Sequence, residues 1–130
     1  DQAMTVRASA ADTLAAIGDR NSHKALSEAL NLPGNYLQGQ SLFVREHIVL
    51  ALGEVGSIGG IDALVGVLKD DDPRIALAAT RSLTKITGIT YRDASVGADA
   101  PPSATEVDSW KAWWAHRSAA TIIQSTIEND

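Results

Sequence analysis

The chain has 130 residues and no cysteine, which excludes disulfides, thiolate zinc sites and cysteine nucleophiles. Hydrophobic residues make up 45% of it, yet only six residues are aromatic, a balance of small and branched aliphatics that favours helix packed on helix over a sandwich. The net charge of −5 sits in the first half: residues 1–72 hold ten acids and five bases, residues 73–130 six of each, which argues against general nucleic-acid binding.

No apolar run approaches the ~18 residues of a membrane span. The first predicted element is a helix ending at Ile17. Its apolar positions Val6, Ala10, Leu14 and Ile17 recur at three- and four-residue steps, and Gly18 suits the left-handed position that closes a helix. His23 to Leu30, carrying Leu26, Ala29 and Leu30, reads as a shorter partner helix. Residues 31–42 contain Pro33, Gly34 and Gly39 and read as an inserted loop. Two arrangements fit this insertion: packed on the inner face with Tyr36 in the groove, or mobile.

The next helix repeats the first. Val6 falls on Val44, Arg7 on Arg45, Leu14 on Leu52, Ile17 on Val55 and Gly18 on Gly56, at a constant offset of 38 residues. Ile61 to Leu68 reads as its partner. Asp72-Pro73 then opens a third copy as an N-cap followed by a first-turn proline. At a further offset of 31, Ile75, Leu83 and Ile86 take the Val, Leu and Ile places, while Ala76 replaces the arginine. Residues 89–104, with Gly97, Pro101 and Pro102, read as a loop. Ser103-x-x-Glu106 reads as a capping box opening a helix from about 104 to 117 or beyond, with Val107, Trp110, Trp113 and Trp114 on one side. The units are thus about 5–30, 43–70 and 73–88, in one domain spanning 1–130.

Two helices per 31–38 residues is a solenoid period, because neither helix buries its apolar face alone. The pattern Val-Arg-x6-Leu-x2-Ile-Gly, followed by a short helix and Asp-Pro, resembles bacterial HEAT repeats of the short type found also in phycobilisome-lyase-like proteins. The resemblance covers roughly residues 5–88. It implies an all-α fold, a right-handed α-solenoid of HEAT-like helical pairs closed by a Trp-rich C-terminal capping helix. It also implies that Arg7 and Arg45 brace neighbouring loops through acids, with Asp72 the natural partner of Arg45. The first helix lacks a preceding partner, so further repeats upstream in a longer protein, or an unusual N-terminal cap, are expected.

In such solenoids the second helix of each pair lines a concave binding face. The repeat alignment assigns to it three equivalent sets: Ala8, Glu46 and Leu77; Asp12, Leu50 and Arg81; Ala16, Glu54 and Lys85. With His47 at the rim, this surface runs from acidic to basic and suits a protein or peptide partner of mixed charge. The predicted partner-binding residues are Glu46, His47, Leu50, Glu54, Arg81 and Lys85, with Tyr36 and Trp113 as aromatic contacts. The plain alternative is a solvated face of intramolecular Glu–Arg pairs, and for the tryptophans a seal over the last repeat.

Chemistry has little to build on. His23, His47 and His116 lie in separate elements without HExxH spacing, and Gly53, Gly56, Gly59 and Gly60 lack a phosphate-loop lysine. Asp70-Asp71-Asp72 reads as a helix cap, not a cation loop. No catalytic residue, cofactor or metal is predicted. The expectation is a non-catalytic protein-interaction scaffold. The alternatives are an accessory domain of an enzyme such as a bilin-lyase-like protein, or a nucleic-acid-binding HEAT-like protein using Arg81 and Lys85.

Overall fold

A computed structural model describes residues 2–128, with side chains through Arg117. Six α-helices stand among these residues: α1 (Gln2–Ile17), α2 (His23–Leu30), α3 (Phe43–Val55), α4 (Ile61–Gly66), α5 (Pro73–Thr87) and α6 (Ala104–Glu128). The fold is mostly helical. It is not purely so: β1 (Tyr36–Leu37) pairs antiparallel with β2 (Gln40–Ser41) inside the insertion expected to be a loop.

The helix ends follow from their chemistry. Gly18, Gly56 and Gly88 all adopt positive φ, at 69°, 71° and 76°, where a Cβ would be strained. Each donates its N–H back to the helix it closes, at Leu14, Leu52 and Thr84 respectively. At the start of α5, Asp72 Oδ1 accepts the Arg74 N–H at 3.0 Å, with Pro73 in the first turn. Before α6, Ser103 Oγ accepts the Glu106 N–H at 3.1 Å. Only this half of the predicted capping box forms, because the Glu106 carboxylate lies 3.7 Å from Arg92 Nη1 instead of reaching back. The partner helix expected over Ile61–Leu68 stops at Gly66, and Val67 and Leu68 continue as a buried turn.

Helices α1, α3 and α5 stack side by side, with α3 in the middle; α2 packs on α3, and α4 on α5 and α6. The core runs along this seam. Val44, Ile48, Ala51, Leu52 and Val55 of α3 are all buried. Close approach of α3 and α5 depends on Gly53: a Cβ there would stand 2.9 Å from Ser82 Cα. The Ser82 hydroxyl donates to Val49 O at 2.9 Å, crossing the same contact.

The first helix departs from the repeat in one respect. The alignment equates Val6, Ala10 and Ile17 with the buried Val44, Ile48 and Val55, yet Val6 is 61% and Ile17 67% exposed. The buried side of α1 is Ala8 and Ala11, against α3, with Leu14 packed beside them. Among the described residues nothing stacks on the far side of α1, so the stripe that buries α3 is left open on α1.

Candidate partner-binding face

The outward side of α1, α3 and α5 carries most of the residues predicted to bind. Leu50 is 43% exposed. Glu54 and Lys85 form an ion pair that joins α3 to α5. His47 Nδ1 lies 2.8 Å from Asp12 Oδ1, joining α3 to α1. Arg81 reaches Asp99 Oδ1 at 3.1 Å and Ala98 O at 3.3 Å. Glu46 and Leu77 are half-buried. Ala8, which the repeat alignment assigns to this surface, is instead buried under α3 and does not belong to it.

One residue escapes the repeat alignment. Phe43, 39% exposed, stands at the start of α3 with its ring edge-on to His47, centroids 5.7 Å apart. It lies four residues before His47 and seven before Leu50, so all three share one stripe of the helix. The signal is that spacing, hidden because Phe43 precedes the repeat pattern. The face is therefore an apolar strip, Phe43 and Leu50, framed by a cross-helix ion pair, Lys85–Glu54, and a cross-helix hydrogen bond, His47–Asp12. Its charges do not form an acidic end and a basic end; they are largely matched in pairs within the chain.

Tyr36 does not join this face. Its ring lies over the Arg45 guanidinium, 4.7 Å to the centroid, and its hydroxyl donates to Asn31 Oδ1 at 3.3 Å. Arg45 is 1% exposed and all five of its N–H groups have acceptors. Nε donates to Leu30 O, Nη1 to Ser41 Oγ and Asp70 Oδ2, Nη2 to Asn31 Oδ1 and Asp70 Oδ1. The bidentate partner is Asp70, at 2.7 and 3.0 Å, not the expected Asp72. Asp72 is already committed to capping α5 and to Arg74.

Burial alone would push the Asp70 carboxyl up. The Arg45 hydrogen bonds and the Asp72 backbone N–H outweigh it and hold the group below the ordinary aspartate value. Asp72, with burial opposed by the Arg74 side chain and backbone, is also held low. Between the hairpin and this loop lies an open cavity of about 400 Å³ lined by Tyr36, Gln40, Asp71 and Arg74. Among the described residues no group of three or more His, Cys, Asp or Glu could hold a metal ion.

Trp113 lies apart from the α3 strip as well. Trp110 is fully buried, edge-on to Tyr91 at 4.8 Å and to Trp113 at 5.8 Å. Trp113 is half-buried, with the Arg117 guanidinium 5.7 Å from its ring, over a small cavity lined by Ile58, Ile61, Ile86 and Ile89. Trp114 Nε1 donates to Asp62 Oδ1 at 3.0 Å, tying α6 to α4. No helix among the described residues is long and apolar enough to cross a membrane.

Comparison with known proteins gives one match. Residues 6–31, which span α1 and α2, match the family model described as PBS lyase HEAT-like repeat, and this supports a HEAT-repeat family for the chain. No curated protein and no solved structure matches it.

Proposed function

We propose that this HEAT-like helical repeat is a non-catalytic protein-interaction scaffold, a segment of right-handed solenoid closed at one end by the Trp-bearing α6. Its partner lies along the outward face of α1, α3 and α5. The observation that carries the reading is the strip of Phe43 and Leu50, exposed in the middle of a charged surface. A partner segment with apolar side chains a helical turn or two apart covers that strip. The flanking contacts, the His47–Asp12 hydrogen bond and the Lys85–Glu54 ion pair, are exposed and worth little to stability, so they are free to exchange for contacts with a partner.

The test is a peptide-display selection against the immobilised chain, followed by titration of the recovered peptide. Leu50→Asp, on an exposed site, is expected to weaken that peptide by about tenfold or more while helicity is unchanged. Selected peptides that bind Leu50→Asp as tightly as wild type would sink this face. A second reading, an accessory domain to a bilin-handling lyase, draws on the lyase for which the matched repeat family is named. It expects a tetrapyrrole absorption change on mixing with the chain that Trp113→Ala removes.

A further inference from the structure

Cations on the outward face are matched in two ways. Lys85 of α5 and His47 of α3 are each met by the neighbouring helix, at Glu54 and Asp12. Arg81 holds the place that Leu50 takes on α3 and Asp12 on α1 in the repeat register, so α3 offers it no anion at that level. Its acceptors come from the segment between α5 and α6 instead: Asp99 Oδ1 at 3.1 Å and Ala98 O at 3.3 Å. Arg92, at the root of that segment, donates to Gly97 O at 3.0 Å and to Ala100 O. Two guanidiniums thus hold one carboxylate and three main-chain carbonyls of the chain's own strap.

The strap is anchored at both ends and loose between them. Tyr91 packs edge-on to the buried Trp110, and Val107 is buried near the start of α6. From Asp93 to Asp99 every residue is exposed. Local turns order this stretch, the Val96 N–H donating to Asp93 O and the Ala100 N–H to Gly97 O. A cavity of about 270 Å³ lies between Ala98 of the strap and Leu77, Arg81 and Thr84 of α5. Beside it, Arg92 Nε and Nη1 are buried without a hydrogen-bond acceptor, and the Glu106 carboxylate stands 3.7 Å from Nη1. The strap therefore neither fills the space under it nor satisfies the cation it rests on, and unmet buried N–H groups are costly. Its exposed Arg81–Asp99 pair holds it only weakly.

We infer that residues 93–100 are an intramolecular occupant of the partner-binding face, which the partner displaces with an acidic segment of its own. This rests on the reading of the α1, α3 and α5 surface as the partner's. The partner seats apolar side chains on Phe43 and Leu50. Beyond them it sets an aspartate or glutamate on Arg81 in place of Asp99. Charge selects that chemistry: Pro73 to Arg92 carries four bases and no acid, and the ligand already seated on Arg81 is a carboxylate beside a carbonyl. A basic segment there would be set against Arg81 with its acid removed. Chains with the strap seated bind less well, so the apparent affinity falls with the fraction of closed strap.

The test uses peptides selected by display on the immobilised chain, titrated against variants that keep wild-type circular dichroism. The recovered peptides are expected to share an aspartate or glutamate. Changing that residue to its amide should weaken binding to wild type about fivefold, and to Arg81→Ala by less than about twofold. Asp99→Ala should bind the acidic peptide about threefold to fivefold more tightly than wild type. Because the chain has no cysteine, nitroxides at Val96→Cys and Lys111→Cys report the strap directly, and their separation should shift when peptide binds. Peptides without an acid, or an amide penalty as large on Arg81→Ala as on wild type, would overturn the proposal. So would an unmoved strap under a bound peptide that still requires Leu50, and that result would leave the partner face standing. Peptides indifferent to Leu50→Asp would sink the face and the proposal with it.

Discussion

Arg45 shows how one side chain can hold three connections at once. Its guanidinium reaches the end of α2 through Leu30 O and Asn31, the hairpin through Ser41, and the α4–α5 turn through Asp70. Removing the anion leaves the buried cation with neutral acceptors only. Asp70→Asn is therefore expected to cost about 2–4 kcal/mol in urea denaturation at neutral pH. Asp70 titrates below its ordinary value in the fold, so its contribution is complete above the unfolded aspartate pKa of about 3.9. It is lost as pH falls through the lower folded value. The stability gap between wild type and Asp70→Asn should accordingly close below about pH 4. A gap that stays constant from neutral pH to pH 2 would rule out the ion pair as its cause. The arginine was legible from the repeat, but its partner was not. Three consecutive aspartates offer equal charge, and only cap geometry, which commits Asp72 to the Arg74 N–H, leaves Asp70 for Arg45.

Glycines in this chain differ in the same local way. Gly53→Ala drives a Cβ to 2.9 Å from the Ser82 backbone and should destabilise by about 1–3 kcal/mol. At Gly66, the last residue of α4, a Cβ meets nothing within 4 Å, so Gly66→Ala should be neutral or stabilise by up to about 1 kcal/mol. Paired denaturant midpoints decide it; equal effects would mean that helix propensity and not α3–α5 packing governs both sites.

At the level of elements, helices were readable because their apolar spacing and closing glycines agree. The insertion was not. Its strands are two residues each, and the turn places Gln38 at φ 51° before Gly39 at 79°. Two positive φ angles make a tight hairpin turn, for which Asn-Gly is the recognisable signal and Gln-Gly a weak one. The order of the segment comes instead from tertiary contacts. Asn35, 1% exposed, donates to Ala29 O and accepts from Arg7 Nε, none of which a local pattern encodes. The last helix is anchored by Trp110, fully buried between Tyr91 and Trp113. Trp110→Ala should cost about 3–5 kcal/mol, whereas Trp114→Phe, which forfeits the bond to Asp62 and part of a half-buried ring, should cost about 1–2 kcal/mol. Chemical denaturation of both variants checks this, and a smaller loss at position 110 than at 114 would contradict the packing described.

For the molecule as a whole, stability is passed from neighbour to neighbour. α3 has a helix on each side, α1 on one only. Amide hydrogen exchange measured at low protein concentration should therefore be fastest in α1, slower in α5 and slowest in α3. Uniform protection across the three would mean that the chain opens as one unit. The outward face shows the limit of reading function from a repeat. Repeat register tells which positions point outward, but not that Lys85 finds Glu54 or that Phe43 stands beside His47. Those depend on the spacing between neighbouring helices, which composition and periodicity leave undetermined.

The two arginines at equivalent places, Arg7 and Arg45, are met by different means. Arg45 finds a carboxylate in the next turn; Arg7 finds Gly34 O and Asn35 Oδ1 in the insertion. The 38- and 31-residue spacings are therefore not interchangeable lengths of tether. Anyone building a longer array from this chain can propagate the short linkage only with an aspartate in its turn, and the long one only with the Gly34-Asn35 turn that opens its insertion. A hybrid that takes the length of one and the acceptor of the other would strand a guanidinium at every junction.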